Sequence, residues 1–224
     1  MAELYVVRHA QASFGTADYD RLSAVGERQG VWLGEYFAER DLVFDRMVIG
    51  TLRRHEETLQ LILRGMRCEV ERFEQNPALD EYDFRALFDA LGDQHRGLKA
   101  MADRSTQDFF KALKQVLHLW SRGLIEAPIP ETWDQFQGRV AAAMRDIRSG
   151  GSRRVLVVTS GGPMGAMAQQ VLQAPADAAI ALNMQIRNSS FCQYYFNAEG
   201  FQLASLNNVP HLDRAGRREF LTYG

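Results

Sequence analysis

Three short strand-like segments, each cut off by small or polar residues, constrain the fold of this 224-residue chain more than anything else in it. They are Leu4 to Val7, which stops at Arg8-His9; Phe44 to Ile49, which stops at Gly50-Thr51; and Val155 to Val158, which stops at Thr159-Ser160-Gly161-Gly162-Pro163. The last is the strongest, and the first is rich in β-formers; apolar runs without polar alternation suit strands buried on both faces, as in a parallel sheet. Helical spacing fills the intervals. Leu22 to Arg40 carries an apolar stripe at Val31, Leu33, Tyr36 and Phe37, with Ser23 placed as N-cap and Glu27 in the first turns. Gly50 and Thr51 open a second helix to about Leu63, with Thr51 as N-cap, and another follows from about Met164. Strands alternating with helices predict an α/β fold: a three-layer α/β/α sandwich with a mostly parallel sheet.

Val70 to Phe73 reads as a short third strand, followed by a polar loop from Glu74 to Pro77. From about 85 to 150 the pattern is mainly helical, clearest over Phe109 to Leu119 and Phe136 to Ile147, with a break at Pro128 and Pro130. This stretch reads as a helical insertion within a single domain spanning 1–224. Phe191 to Phe196 and Phe201 to Leu206, joined by Asn197-Ala198-Glu199-Gly200, predict a hairpin at one edge of the sheet. That edge is a candidate homodimer surface, although many such edges are covered within their own chain.

Twenty-six basic and 28 acidic residues give a net charge of −2, without the basic footprint of a nucleic-acid binder. A phosphorylated small molecule needs only a few local cations and stays open. Cys68 and Cys192 lie far apart and read as two buried thiols of a reducing cytoplasm, with no zinc spacing among Cys and His. The N-terminus MAELYVVRHA lacks the pattern of a signal peptide, and no stretch approaches the ~20 apolar residues of a spanning helix. The expectation is a cytoplasmic protein with neither nucleic-acid nor membrane partners.

In a parallel sheet the C-terminal strand ends share one edge, so Arg8-His9, the Gly50 to Arg54 turn and Ser160-Gly161-Gly162 are expected to converge on one pocket. Phosphoryl transfer to a side chain needs a nucleophile, cations around the phosphoryl oxygens and an acid for the leaving oxygen. Neutral His9 suits the first role, Arg8 and Arg54 the second, and Glu81 the third, in competition with Asp80 and Asp83 of the same loop. The helix starts after Gly50 and Gly162 add N–H groups facing an anion. Ser160 reads either as a phosphate contact or as an N-cap. Arg53 and His55 read as structural or surface residues, as does His118.

The motifs, taken in order, resemble the histidine phosphatase superfamily, the phosphoglycerate-mutase-like branch. Val6-Val7-Arg8-His9-Ala10-Gln11 is similar to its opening Arg-His-Gly element, and Leu22-Ser23-Ala24-Val25-Gly26 to its Leu-Ser/Thr-x-x-Gly helix start. Gly50 to Thr58 resembles its Ser-x-Leu-x-Arg-Ala-x-Gln-Thr segment, Leu79-Asp80-Glu81 its Leu-x-Glu, and Val155 to Pro163 the strand carrying its second His-Gly. Leu206-Asn207-Asn208-Val209-Pro210-His211-Leu212 resembles a C-terminal Asn-x-x-x-His-Leu element.

The resemblance implies a phosphohistidine on His9, phosphate ligands at Arg8, Arg54, Ser160 and Gly161, a proton donor at Glu81, and no metal or other cofactor. It implies a phosphatase acting on a small phosphorylated metabolite. Three positions depart from the pattern: Ala10 replaces a glycine, Gly15 stands where many mutases have a phosphate-binding Asn, and Ser160 stands where the second histidine is expected. A hydroxyl can donate one hydrogen bond but brings no charge, and one lost preorganised contact of this kind costs on the order of 2–4 kcal/mol in the transition state. A phosphatase of reduced activity is therefore the leading reading, with a ligand-binding member of little turnover, or a phosphomutase, as alternatives. Arg187 and His211 are candidates to supply the missing cation, with a structural role the simpler reading of His211. Specificity is assigned to the helical insertion, with Phe84, Arg85, Phe88 and Arg96 as candidate lining residues, core packing being the simpler reading of the two Phe residues.

Overall fold

The computed structural model describes residues 1–13, 18–69 and 72–223. Gly15 and the first two residues of the expected Val70 to Phe73 strand lie outside the described residues. The elements run β1 (Ala2–Arg8), α1 (Ala24–Ala38), β2 (Arg46–Ile49), α2 (Arg53–Met66), β3 (Glu74–Gln75), α3 (Phe84–Asp89), α4 (Arg96–Ala102), α5 (Thr106–Ser121), α6 (Trp133–Ser149), β4 (Arg154–Thr159), α7 (Gly161–Leu172), α8 (Ala176–Asn183), β5 (Phe191–Phe196) and β6 (Phe201–Asn208). The strands form one mixed sheet in the order β3-β2-β4-β1-β5-β6. β1, β2, β3 and β4 pair in parallel, and the β5–β6 hairpin adds antiparallel strands beside β1. The expected sandwich is present.

Alternation along the central strands builds its layers, since successive side chains point to opposite faces. Leu4 and Val6 of β1 share one core with Val48, Val155, Val157 and the helices α5, α6 and α7. Tyr5 and Val7 share the other with Ile49, Leu156, Val158 and the helices α1 and α2. The two helices of this second layer pack backbone to backbone. A Cβ on Gly34 would stand 2.0 Å from the Ile62 carbonyl oxygen, and one on Gly65 2.1 Å from that of Val31.

Several local expectations need correction. Ser23 does cap α1, accepting from the Gly26 N–H at 3.1 Å. Thr51 does not cap α2, which starts at Arg53; its hydroxyl donates to Asp80 instead. Arg72 and Phe73, the described part of the expected third strand, are not in one; the strand is at Glu74–Gln75, in the stretch expected to be a loop, where those residues pair with Val48 and Ile49 of β2. α8 is an element beyond the sequence expectations; its eight residues follow α7 after a three-residue turn. Cys192 is buried, and burial pushes its thiol up to about 12, whereas Cys68 is exposed beyond the end of α2. No helix among the described residues is long and apolar enough to cross a membrane.

Candidate active site

β1 and β4 run side by side in parallel register, Arg8 opposite Thr159, so His9 and Ser160 leave the sheet as neighbours. The His9 backbone is pinned on both sides. Its N–H donates to the Thr159 carbonyl at 2.8 Å, and its own carbonyl accepts from the Ser189 N–H at 3.2 Å. Thr58 ties this strand end to α2, accepting from the Ala10 N–H at 3.0 Å and donating to the Arg54 carbonyl at 2.6 Å. That link fixes His9 relative to Arg54.

The His9 side chain is buried, with Nδ1 2.8 Å from the Ala10 carbonyl oxygen. A carbonyl accepts only, so Nδ1 carries the proton and Nε2 keeps its lone pair. Burial first, then Arg54, Arg8 and His55, hold the ring well below its ordinary pKa. His9 is therefore a neutral, desolvated imidazole, the form in which an Nε2 lone pair can act as a nucleophile.

Two guanidiniums flank it. Arg54, 5% exposed, gives Nη1 to Asp20 at 2.6 Å and lies over the Tyr19 ring at 5.3 Å. Arg8 gives Nη1 to the carbonyls of Tyr223, at 2.7 Å, and of Ile186. Each leaves its Nε buried without a hydrogen-bond partner among the described residues. Buried donors of this kind are costly unless an acceptor arrives, and a phosphoryl oxygen is such an acceptor.

Glu81 faces them from the loop after β3. Both its oxygens accept from the Gly162 N–H, each at 3.2 Å, at the start of α7. Burial raises its pKa above the ordinary carboxylate value, against the pull of Gly162, Arg54 and Arg8. A carboxyl so shifted is suited to hold a proton and release it. Gly162 is required here: a Cβ would stand 2.1 Å from Glu81 Oε1. Asp80 is instead engaged with Thr51, and Asp83 caps α3.

Thus Arg8, His9, Arg54, Glu81, Ser160 and Gly161 collect at one sheet edge, with Arg8 Nε 3.7 Å from where a Gly161 Cβ would sit. The helix starts contribute less than expected. The Thr51, Arg53 and Gly162 N–H groups are already given to Asp80, Asp20 and Glu81. Ser160 is not an N-cap by side chain; its Oγ is bonded to His55 Nε2 at 2.8 Å. His55, read from sequence as a structural or surface residue, is fully buried inside the site. Helical spacing carried the signal: His55 shares its face with Thr58, Leu59 and Ile62, all buried. His211 is structural, paired with Ser189 at 2.8 Å and pushed down to about 3 by burial, Arg217 and Arg214. Arg187 lies against Tyr223 rather than in a phosphate-ligand position.

A cavity of about 390 Å³ opens beside Arg8, lined among others by Tyr82, Phe110, Lys114, Asn183 and Tyr223. The expected lining residues are elsewhere. Phe84 and Phe88 pack on Phe109, Arg96 pairs with Asp93 at the surface, and exposed Arg85 lies over the Phe84 ring. The chain does contribute its insertion to the cavity, but through α5. Among the described residues no group of three His, Cys, Asp or Glu is placed to hold a metal.

Three neutral buried histidines make stability depend on acid. Below the ordinary value of 6.5, His9, His55 and His211 each take up a proton on unfolding, so the unfolded state binds more protons and stability falls with falling pH. Glu81, raised in the fold, releases one on unfolding and offsets part of this above the ordinary 4.5. A net uptake of two to three protons corresponds to a loss of about 3–4 kcal/mol per pH unit between about pH 6 and 5. Urea denaturation across that interval measures it, and a flat profile would contradict the neutral assignment.

A family profile described as "Histidine phosphatase superfamily (branch 1)" matches residues 4–209. A curated protein of Hydrogenobacter thermophilus, provisionally named phosphoserine phosphatase 2, is 23% identical over 94% of this chain and 98% of its own length. Among solved structures, a mutant phosphoserine phosphatase from Entamoeba histolytica in complex with phosphoserine superposes with a TM-score of 0.66 at 15% identity, covering 95% of this chain and all of that one. Phosphoglycerate mutase from Bacillus anthracis does so with 0.64 at 20% identity, over 94% of each chain.

Proposed function

The chain belongs to the histidine phosphatase superfamily, and on that premise we propose that it hydrolyses a small phosphomonoester through a phosphohistidine on His9. The observation that carries this reading is the pairing of a neutral buried His9, its Nδ1 spent on Ala10, with two arginines whose Nε groups lack partners. His9 Nε2 attacks phosphorus as the bond to the leaving oxygen breaks, and protonated Glu81 gives that oxygen its proton. Water then attacks the phosphohistidine, Glu81 takes a proton from it, and inorganic phosphate departs. Arg8 and Arg54 hold the non-bridging oxygens throughout. Ser160, in this reading, occupies the place of the family's second histidine.

Phosphoserine and phosphoglycerate, for which two of the relatives are named, are small phosphorylated metabolites that carry a carboxylate, and the cavity beside Arg8 is of a size for such a leaving group. Lys114 lines it without a hydrogen-bond or ion-pair partner among the described residues, and Lys111 beside it pairs with Asp108. Lys114→Ala is expected to raise KM about fivefold for a phosphomonoester with an anionic leaving group, with kcat unchanged. A phosphate-release assay over a panel of neutral and anionic phosphometabolites, with an aryl phosphate as generic substrate, tests both statements. Failure to release phosphate from any of them sinks the phosphatase reading and favours a member that binds without turnover, which the missing charge at Ser160 would explain.

A further inference from the structure

His55 has no task in the steps above, yet it is fully buried and its ring centroid lies 5.8 Å from that of His9. Nε2 is bonded to Ser160 Oγ at 2.8 Å. On the other side Nδ1 stands 3.7 Å from Asp80 Oδ1 and faces the Gly50 backbone, without a well-formed hydrogen bond among the described residues. Asp80 is itself fixed, accepting from the Thr51 N–H at 2.6 Å and from the Thr51 hydroxyl.

Space for the imidazole comes from Gly50. A Cβ there would come within 2.2 Å of His55 Nδ1 and 2.5 Å of Asp80 Oδ1. Glycine at 50, histidine at 55 and serine at 160 thus share one closed volume, and a larger residue at either end displaces the ring. Ser160 in turn follows Thr159, whose carbonyl holds the His9 N–H, so its hydroxyl flanks the phosphoryl acceptor. A serine hydroxyl has one hydrogen. Given to Nε2, it is lost to a substrate; if Nε2–H donates to Oγ instead, that hydrogen is free for an incoming oxygen. An anion arriving at Ser160, with the Asp80 carboxylate behind Nδ1, favours protons on the imidazole and hence the second arrangement.

We propose that His55 is a positioning residue for phosphoryl transfer: it donates Nε2–H to Ser160 Oγ and so turns the serine hydroxyl hydrogen onto a phosphoryl oxygen held at His9. This rests on the reading of His9 as phosphoryl acceptor. Two side chains then share what one imidazole at position 160 would do. The hydroxyl touches the anion, and the imidazole behind it polarises that hydroxyl. Burial first, then Arg54 and His9, oppose a second proton on His55, and the Gly50 backbone and the nearby Asp80 carboxylate favour it.

The test compares His55→Ala, His55→Gln, Ser160→His and the double variant His55→Ala/Ser160→His in aryl phosphate kinetics and in orthovanadate binding. His55→Ala is expected to lower kcat about 100-fold with KM within about threefold, and to weaken orthovanadate about tenfold or more. Glutamine, whose amide N–H can reach Oγ, should recover about tenfold of the lost kcat. Ser160→His alone crowds the ring and loses activity. In the double variant the vacated volume accepts the new imidazole, and kcat should exceed that of His55→Ala about tenfold. The proposal is overturned if folded His55→Ala keeps kcat within about threefold of wild type, if its orthovanadate affinity is unchanged, or if neither the glutamine nor the double variant improves on alanine. A wild type without turnover would instead sink the phosphatase reading, and orthovanadate affinity would still report on the His55 contact.

Discussion

His9→Ala is expected to remove phosphatase turnover, by a factor on the order of 10⁴ or more, while leaving inorganic phosphate bound. The two effects separate because they belong to different atoms. The lone pair on Nε2 forms the bond to phosphorus, and the imidazole nearest to His9, that of His55, turns its Nε2 to Ser160 and its Nδ1 toward Asp80. The guanidiniums of Arg8 and Arg54 remain, held by the Ile186 and Tyr223 carbonyls and by Asp20. Removing a ring that contributes no charge leaves their field on the anion intact, so phosphate affinity should stay within about tenfold. Wild-type protein quenched during turnover of a ³²P-labelled phosphomonoester should carry acid-labile, base-stable label, and the alanine variant none. Retention of more than a few per cent of turnover would mean that another group accepts the phosphoryl. The variant also lacks one of the three protons taken up on acid unfolding, so its stability should fall less steeply below the ordinary histidine value of 6.5.

What the sequence made legible follows from how each feature is encoded. The sheet and its reactive edge are local signals: an apolar run such as Val155 to Val158 can hardly be anything but a buried strand, and the polar residues that end it must emerge at one place. Arg8, His9, Arg54 and Glu81 follow from that edge and from motif order. His55 did not follow, because its role is set by two residues far away in the chain, the missing Cβ of Gly50 and the short side chain of Ser160. Neither is informative alone; only their shared volume is. The same holds for the lining of the cavity. Phe84 and Phe88 lie at the start of the insertion, but their rings are spent on Phe109, and α5 presents Phe110 and Lys114 instead. Phe109 and Phe110 are adjacent on α5, yet one packs on those two rings while the other lines the cavity, a division set by helix orientation. The two-residue strand Glu74–Gln75 is polar because it lies on a sheet edge, where burial imposes no apolar pattern.

Glu81→Gln should divide substrates by their leaving groups. Glutamine keeps the length of the side chain and an oxygen to accept the Gly162 N–H, so the loop and the start of α7 stay in place. What it cannot do is give a proton to an alkoxide. For an alkyl phosphate the first step is then expected to slow about 10²- to 10⁴-fold. For a nitrophenyl phosphate, whose leaving oxygen needs no proton, that step should be nearly unchanged. The second step still lacks its base, so phosphohistidine accumulates and the aryl substrate gives a burst of one equivalent of phenol followed by slow turnover. The pH dependence separates the variant further. Burial raises the Glu81 carboxyl, so the acid-competent form survives above the ordinary carboxylate value of 4.5 and is lost as pH rises through the folded-state value. Alkyl phosphate hydrolysis by the wild type should therefore decline on the alkaline side, and the residual rate of the glutamine variant should not. Stopped-flow single turnovers with both substrates decide the matter. Equal slowing of the first step for both leaving groups would show that the proton comes from elsewhere, with Asp80 and Asp83 the other carboxylates of that loop, and would leave Glu81 only the task of holding the Gly162 N–H.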